Sequence, residues 1–205
     1  MSGAAPLEFW FEFASSYSYP AALRVESAAR AAGVPLAWRP FLLGPIFRAQ
    51  GWNDSPFNLY PVKGRYMWRD LERGCAELAA PFRRPSSFPR NGLLAARVAC
   101  RFADAAWCPD FVRAVYRANF AEDRDIADPQ VVSSCLESAG ESARQRIDEA
   151  QSAASKELLR VQNERAVALG LFGAPSFTVG DELFWGNDRL EAALAWWRAN
   201  AGPAE

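Results

Sequence analysis

The order of short apolar runs and helical periods constrains this chain more than any other feature. Leu7-Glu8-Phe9-Trp10-Phe11-Glu12-Phe13 alternates glutamate with bulky apolar side chains at its ends, which predicts a largely buried strand. Ser15 or Ser16 is placed to cap the helix that follows, and Pro20 falls in its first turn, where proline is tolerated. Leu23 and a run of alanines carry that helix to Gly33. Val34 to Phe41 reads as a second strand. Strand, helix, strand in this succession predicts a βαβ unit with a right-handed crossover.

The middle of the chain has another character. Gly44 to Pro61 is rich in Gly, Pro and Asn and reads as loop. Val62 to Leu78 places Tyr66, Met67, Leu71, Cys75 and Leu78 on one helical face. Leu94, Val98, Phe102 and Ala105 mark a further helix, Pro109 opens the next, and Asp128-Pro129 is an N-cap followed by a first-turn proline. Ser142 to Leu169 reads as helical with a break near Gln151, and Gly170 ends it. Strand character then returns. Ser176 to Val179 and Glu182 to Trp185 flank a Gly180-Asp181 turn, and Asn187 or Asp188 caps a last helix carrying Leu190, Leu194 and Trp197. The order is βαβ, a long helical block, then ββα. We therefore expect an α/β fold whose sheet domain lies at both ends of the chain, at 5–42 and 171–202, with 43–170 as a helical insertion.

Composition removes whole classes of chemistry. The chain has no histidine, which excludes Ser-His-Asp and Cys-His catalysis and most zinc enzymes. No metal site is expected. Lys+Arg 23 against Asp+Glu 24 gives no basic face for nucleic acid and no polybasic membrane signal. No segment approaches the roughly 18 uninterrupted apolar residues of a membrane span. Met1 to Leu7 shows neither a basic nor an apolar leader region, so a cytoplasmic location is expected. The cysteines Cys75, Cys100, Cys108 and Cys135 form no CxxC pair and sit in predicted helices, which fits free, buried thiols in a reducing compartment. Eight tryptophans and 14 phenylalanines point to a bulky interior or a greasy pocket.

Four ordered motifs carry a resemblance. FEFASSYSY (11–19) resembles the opening motif of 2-hydroxychromene-2-carboxylate isomerases and kappa-class glutathione transferases. FLLGPIFRAQGWNDSPFNLYPVKGRYMWRDLER (41–73) looks like the isomerase-type segment after the second strand. FPRNGLLAAR (88–97) and LFGAPSFTVGDELFWGNDRL (171–190) resemble the substrate-side helix entry and the closing motif. The element order then resembles a thioredoxin-like fold, related to the DsbA superfamily, interrupted by helices. The resemblance implies glutathione as cofactor, an aromatic keto acid as substrate, a homodimer, and a place in aromatic-compound degradation.

It also assigns roles. Where a dithiol oxidoreductase carries CxxC, this chain has Ser15-Ser16-Tyr17-Ser18. A hydroxyl forms no disulfide, but a helix N-terminus favours a thiolate. The resemblance makes Ser15 the catalytic partner of the glutathione sulfur, with Ser16 and Tyr17 helping. The family commonly has proline after this serine, and Ser16 in its place leaves Ser16 itself as an alternative partner. A helix cap is the competing reading of Ser15. Ala174 and Pro175 are assigned to the cysteinyl backbone through a cis-proline, against an ordinary trans turn. Asn187 and Asp188 are assigned to the γ-glutamyl end, against simple capping, and Lys63 to the glycyl carboxylate or to an acidic substrate. Arg48, Asn53, Arg90, Asn91 and Trp185 are the implied substrate contacts, with Phe47, Trp52 and Tyr66 as further walls. A glutathione transferase and a non-catalytic binding module on the same scaffold are the rival functions. Depletion of glutathione separates the first from an isomerase, and absence of glutathione binding marks the second.

Overall fold

The structure is a computed structural model that describes residues 5–200. Residues 1–4 of the expected leaderless N-terminus and the expected domain end at 202 lie outside the described residues. Four strands form one mixed sheet in the order β2-β1-β3-β4. They are β1 (Leu7–Phe11), β2 (Leu36–Pro40), β3 (Ser176–Val179) and β4 (Glu182–Trp185). β1 and β2 run parallel, joined by α1 (Ser18–Ala31). β3 lies antiparallel to β1, and β4 folds back antiparallel on β3. The chain closes with α10 (Leu190–Asn200).

Eight helices connect β2 to β3: α2 (Leu43–Ala49), α3 (Pro56–Leu59), α4 (Pro61–Glu77), α5 (Leu93–Arg101), α6 (Cys108–Phe120), α7 (Pro129–Ser138), α8 (Ala143–Ala150) and α9 (Ala153–Ala168). The architecture is a thioredoxin-like α/β fold with a helical block inserted between its βαβ and ββα halves.

The β1 sequence explains why both faces of the sheet are covered. Side chains alternate across a strand, so Leu7, Phe9 and Phe11 share one face while Glu8 and Trp10 share the other. The first three join a large core that runs into α1, α4, α5, α6 and α10. Phe9 stacks on Phe177 at 5.5 Å and meets Trp38 edge-on at 5.2 Å, so one side chain ties three strands together. Each such buried aromatic stabilises the fold by about 1.5–3 kcal/mol. On the opposite face Trp10 packs with Phe41, Ile46, Ala166 and Leu171. Glu8 stays ionised there because Arg39 and Arg165 donate to it at 2.9 and 2.6 Å. α9 is thereby pinned to the back of the sheet.

Several sequence expectations need correction. The stretch Gly44–Pro61 is not all loop, because α2 and α3 lie within it. Pro45 falls in the first turn of α2, and Ser55 caps α3 by accepting from Phe57 N–H with Pro56 as the first helical residue. These prolines start helices. Phe102 and Ala105 lie beyond the end of α5. Tyr66 is 62% exposed, and Leu78 is exposed as well. The buried face of α4 runs instead through Gly64, Met67, Trp68, Leu71 and Cys75. All four cysteines are free and buried, as expected.

Candidate active site

The chain between β1 and α1 does not form the cap its serines suggest. α1 starts at Ser18, two residues later than a Ser15 cap and one later than a Ser16 cap predicts, and no side chain caps it. Ser18 and Tyr19 N–H instead donate to the backbone carbonyls of Ser15 and Ser16. Both hydroxyls are thereby freed for other partners. Ser16 is 1% exposed, and its hydroxyl donates to the thioether of Met67 on α4 at 2.9 Å. Ser15 is partly exposed, and its hydroxyl donates to the carbonyl of Ala174 at 2.8 Å. The peptide bond Ala174–Pro175 is cis, and so is Phe88–Pro89, which the sequence did not single out. Pro175 carbonyl accepts from Gly186 N–H at 2.9 Å, which ties this loop to the end of β4.

Ser15 opens into a cleft of about 1390 Å³ between the sheet edge and the helical block. Every residue assigned above from the motifs lines it: Ser15, Ser16, Tyr17, Lys63, Ala174, Pro175, Asn187, Asp188, Arg48, Asn53, Arg90, Asn91 and Trp185. Residues more than 150 positions apart thus meet at one surface. Phe47, Trp52 and Tyr66 line it too, with Phe47 and Trp52 rings 5.6 Å apart.

The surroundings of each side chain differ. Tyr17 donates its hydroxyl to Asp70 at 2.9 Å. Burial first, and the Asp70 carboxylate second, raise its phenol far above the ordinary range, so it stays a neutral donor. Lys63 is exposed, with its ammonium 5.7 Å from the Phe57 ring. Asn187 begins a short 3-10 helix, Asn187–Arg189, rather than capping α10. Its amide oxygen accepts from Arg24 Nε at 2.9 Å, which turns its NH₂ away from Arg24. Arg24 also pairs with Glu191, so α1 clamps the start of the last helix. Asp188 is exposed beside Arg189. Trp185 is half-exposed and packs on Phe172 at 4.9 Å. Gly173 permits this wall: a Cβ there would lie 2.4 Å from the Trp185 indole nitrogen.

Arg90 stands apart from its assigned role. It is buried, and its guanidinium binds Asp123, the Asn119 side chain and the Arg124 carbonyl. The Asp123 carboxyl is held down to about 2 by Ser86 N–H first and by the Arg90 guanidinium next. Arg90 therefore braces the cleft wall, and its charge is spent on Asp123. Asn91 accepts from Leu93 N–H at 2.9 Å, which supports the start of α5. Arg48 and Asn53 are exposed on the α2 side of the mouth.

Sequence reasoning missed two acids. Asp70 follows Lys63 by seven residues, two turns on, and the spacing of Lys63, Tyr66 and Asp70 already places them along one face of α4. Glu12 also lines the cleft, though its alternation with Phe11 and Phe13 reads only as a strand end. Its Oε2 accepts from Ala14 N–H at 2.9 Å. Burial pushes its carboxyl up to about 8, against the pull of backbone N–H groups of Ala14 and Ser15.

Among the described residues no group of three or more His, Cys, Asp or Glu side chains could hold a metal ion. No described helix is long and apolar enough to cross a membrane.

This is a thioredoxin-fold protein whose strand–helix junction presents a hydroxyl, facing a cis-proline loop, where a dithiol protein presents sulfur. Comparison with known proteins narrows the class. The DSBA-like thioredoxin domain matches residues 6–195. The 2-hydroxychromene-2-carboxylate isomerase of Sphingobium xenophagum is 33% identical over 186 residues, spanning 90% of this chain and 94% of that protein. Glutathione S-transferase kappa 2 of Caenorhabditis elegans is 25% identical over 201 residues, spanning 90% and 88%. A solved 2-hydroxychromene-2-carboxylate isomerase superposes with a TM-score of 0.82 at 26% identity, covering 98% of this chain and all of that one. The chain belongs to the DSBA-like thioredoxin family and, within it, to the 2-hydroxychromene-2-carboxylate isomerase family.

Proposed function

We propose that the protein is a glutathione-dependent cis–trans isomerase of 2-hydroxychromene-2-carboxylate-type keto acids. The observation that carries this reading is the pairing of the Ser15 hydroxyl with the Ala174 carbonyl, beside cis-Pro175 and inside the large cleft. Two features fit a bound cysteinyl peptide. The Ser15 hydroxyl sits beside the N-terminal, positive end of α1. Ala174 offers backbone for strand-like pairing next to it. Glutathione, when bound, supplies a thiolate that adds reversibly to the conjugated double bond, which becomes free to rotate before elimination restores it.

The protein's own groups would then divide the work. The Ser15 hydroxyl turns from Ala174 to the sulfur, and the positive end of α1 favours its ionised form. Ser16 N–H or the Tyr17 hydroxyl supports it. Asn187 and Asp188 take the γ-glutamyl end, and Lys63 the glycyl carboxylate or an acidic substrate. Arg48, Asn53 and Asn91 orient the keto acid, and Trp185, Trp52 and Phe47 enclose its ring. We assign Arg90 the supporting role that its pairing with Asp123 leaves it. A homodimer, a cytoplasmic location, a place in aromatic-compound degradation and the division into a discontinuous sheet domain and a helical insertion belong to the same reading.

The test is ultraviolet absorbance of a benzylidenepyruvate-type substrate with and without glutathione. Conversion that needs glutathione yet leaves its concentration unchanged is expected. Stoichiometric loss of glutathione would instead favour a transferase, the second reading, which the likeness to the kappa-class transferase motivates. No glutathione binding would favour the non-catalytic module.

A further inference from the structure

We propose that Glu12 is the acid–base residue of this cleft, giving a proton to the keto oxygen of the substrate and taking it back. The proposal rests on the isomerase reading above and adds a residue to it. A conjugated keto acid gathers charge on its keto oxygen when a nucleophile adds at the far end of the double bond. A chain with no histidine needs another proton carrier there.

The geometry selects Glu12. It lines the cleft with Ser15, three positions before it in the chain, and is partly exposed toward that cleft. Ala14 N–H fixes its Oε2 as an acceptor, which leaves Oε1 as the oxygen that carries the proton. Among the described residues Glu12 has no ion-pair partner. Of the charged groups lining the cleft, Arg48 lies exposed on the α2 side of the mouth, Asp54 accepts from Ser55 N–H, and the others are engaged elsewhere. Arg90 faces Asp123, Asp70 accepts from Tyr17, Asp188 faces Arg189, and Lys63 lies over Phe57. The titratable group packed against Glu12 from α6 is Tyr116, whose hydroxyl donates to the Glu12 main-chain carbonyl at 2.9 Å. Burial keeps that phenol neutral. Hemmed in this way, the Glu12 carboxyl is pushed up to about 8 and is protonated at neutral pH.

The step balances. As the sulfur–carbon bond forms and the carbon–carbon π bond opens, an electron pair moves to the keto oxygen. Oε1 gives its proton to that oxygen, and Glu12 becomes a carboxylate. Elimination breaks the sulfur–carbon bond, restores both double bonds and returns the proton to Oε1. Neither an oxidant nor a reductant takes part.

Glu12→Gln decides the matter, because its amide oxygen still accepts from Ala14 N–H but it carries no transferable proton. Infrared difference spectra of the free protein across pH come first. A protonated carboxyl signal present at neutral pH, lost above pH about 8 and absent from the variant is expected. The variant should bind glutathione with unchanged affinity by calorimetry and lose about 100-fold or more in kcat. Wild-type kcat should fall above pH about 8, and the variant's profile should lose that limb. An ionised Glu12 at neutral pH overturns the proposal whatever the enzyme's activity. Wild-type isomerisation with an unimpaired variant overturns it alone, whereas a wild type that neither binds glutathione nor isomerises removes the reading beneath it as well.

Discussion

Ser15 and Ser16 are adjacent and chemically identical, yet the fold separates them. One hydroxyl faces the cleft and the other is consumed by a sulfur beneath it. Ser15→Ala should leave thermal stability within about 1 kcal/mol of wild type, since only one part-exposed hydrogen bond is lost. The same variant should lose most turnover. Ser16→Ala should show the reverse pattern, a loss of about 1 kcal/mol with turnover retained. Melting curves and initial rates on both variants check this, and equal losses of turnover would contradict it. Glu12 also has a signature in stability. Its carboxyl is raised from 4.5 to about 8 by folding. Between those values the folded chain holds a proton that the unfolded chain has released. Stability therefore falls as pH rises through that window, by on the order of a few kcal/mol. Glu12→Gln lacks this slope, so its melting temperature should gain on wild type from pH about 5 to about 8. A constant gap across that range would contradict the burial of Glu12.

At the scale of elements, the loop Phe172–Pro175 and the β3–β4 hairpin work as one piece. Gly173 lets the Trp185 indole lie against the loop, and Gly186 N–H bonds back to Pro175. Gly173→Ala should push Trp185 out of the wall and raise KM for an aromatic substrate several-fold, with glutathione affinity much less affected. Steady-state kinetics in both substrates checks this, and unchanged constants would remove Trp185 from the site. The hairpin was legible because Ser176–Val179 and Glu182–Trp185 flank a Gly-Asp turn, and both strands fall where the pattern puts them. The start of α1 was not legible. Two cap-competent serines precede it, and only tertiary contacts with Ala174 and Met67 show that neither caps. α2 and α3 were hidden because Gly, Pro and Asn also mark loops, and proline in a first turn looks the same as proline in a turn.

The whole molecule depends on one core that continues from the sheet into the helical block. The cleft lies along that seam, so its shape depends on ties that cross it. On the helical side of that seam Arg90 braces the cleft wall, and its guanidinium holds the segment around Asp123 against the entrance to α5. Arg90→Ala removes the donors to the Asn119 side chain and the Arg124 carbonyl, while Asp123 keeps Ser86 N–H, and should cost about 1–3 kcal/mol. Denaturant titration checks it, and a loss below about 1 kcal/mol would return Arg90 to the candidate substrate contacts. The sequence put Arg90 at the cleft through its motif. Its charge partner lies 33 positions away in the connection between α6 and α7, which no local pattern identifies.

The central claim is that the mouth of α1, through Ser15, holds an ionised sulfur that the chain itself does not carry. The most direct measurement is the ultraviolet thiolate absorbance of glutathione titrated with the protein at neutral pH. A thiolate signal that saturates with wild type and shrinks with Ser15→Ala is the result this account predicts. Bound glutathione without a thiolate signal, or the same signal in both proteins, would contradict it.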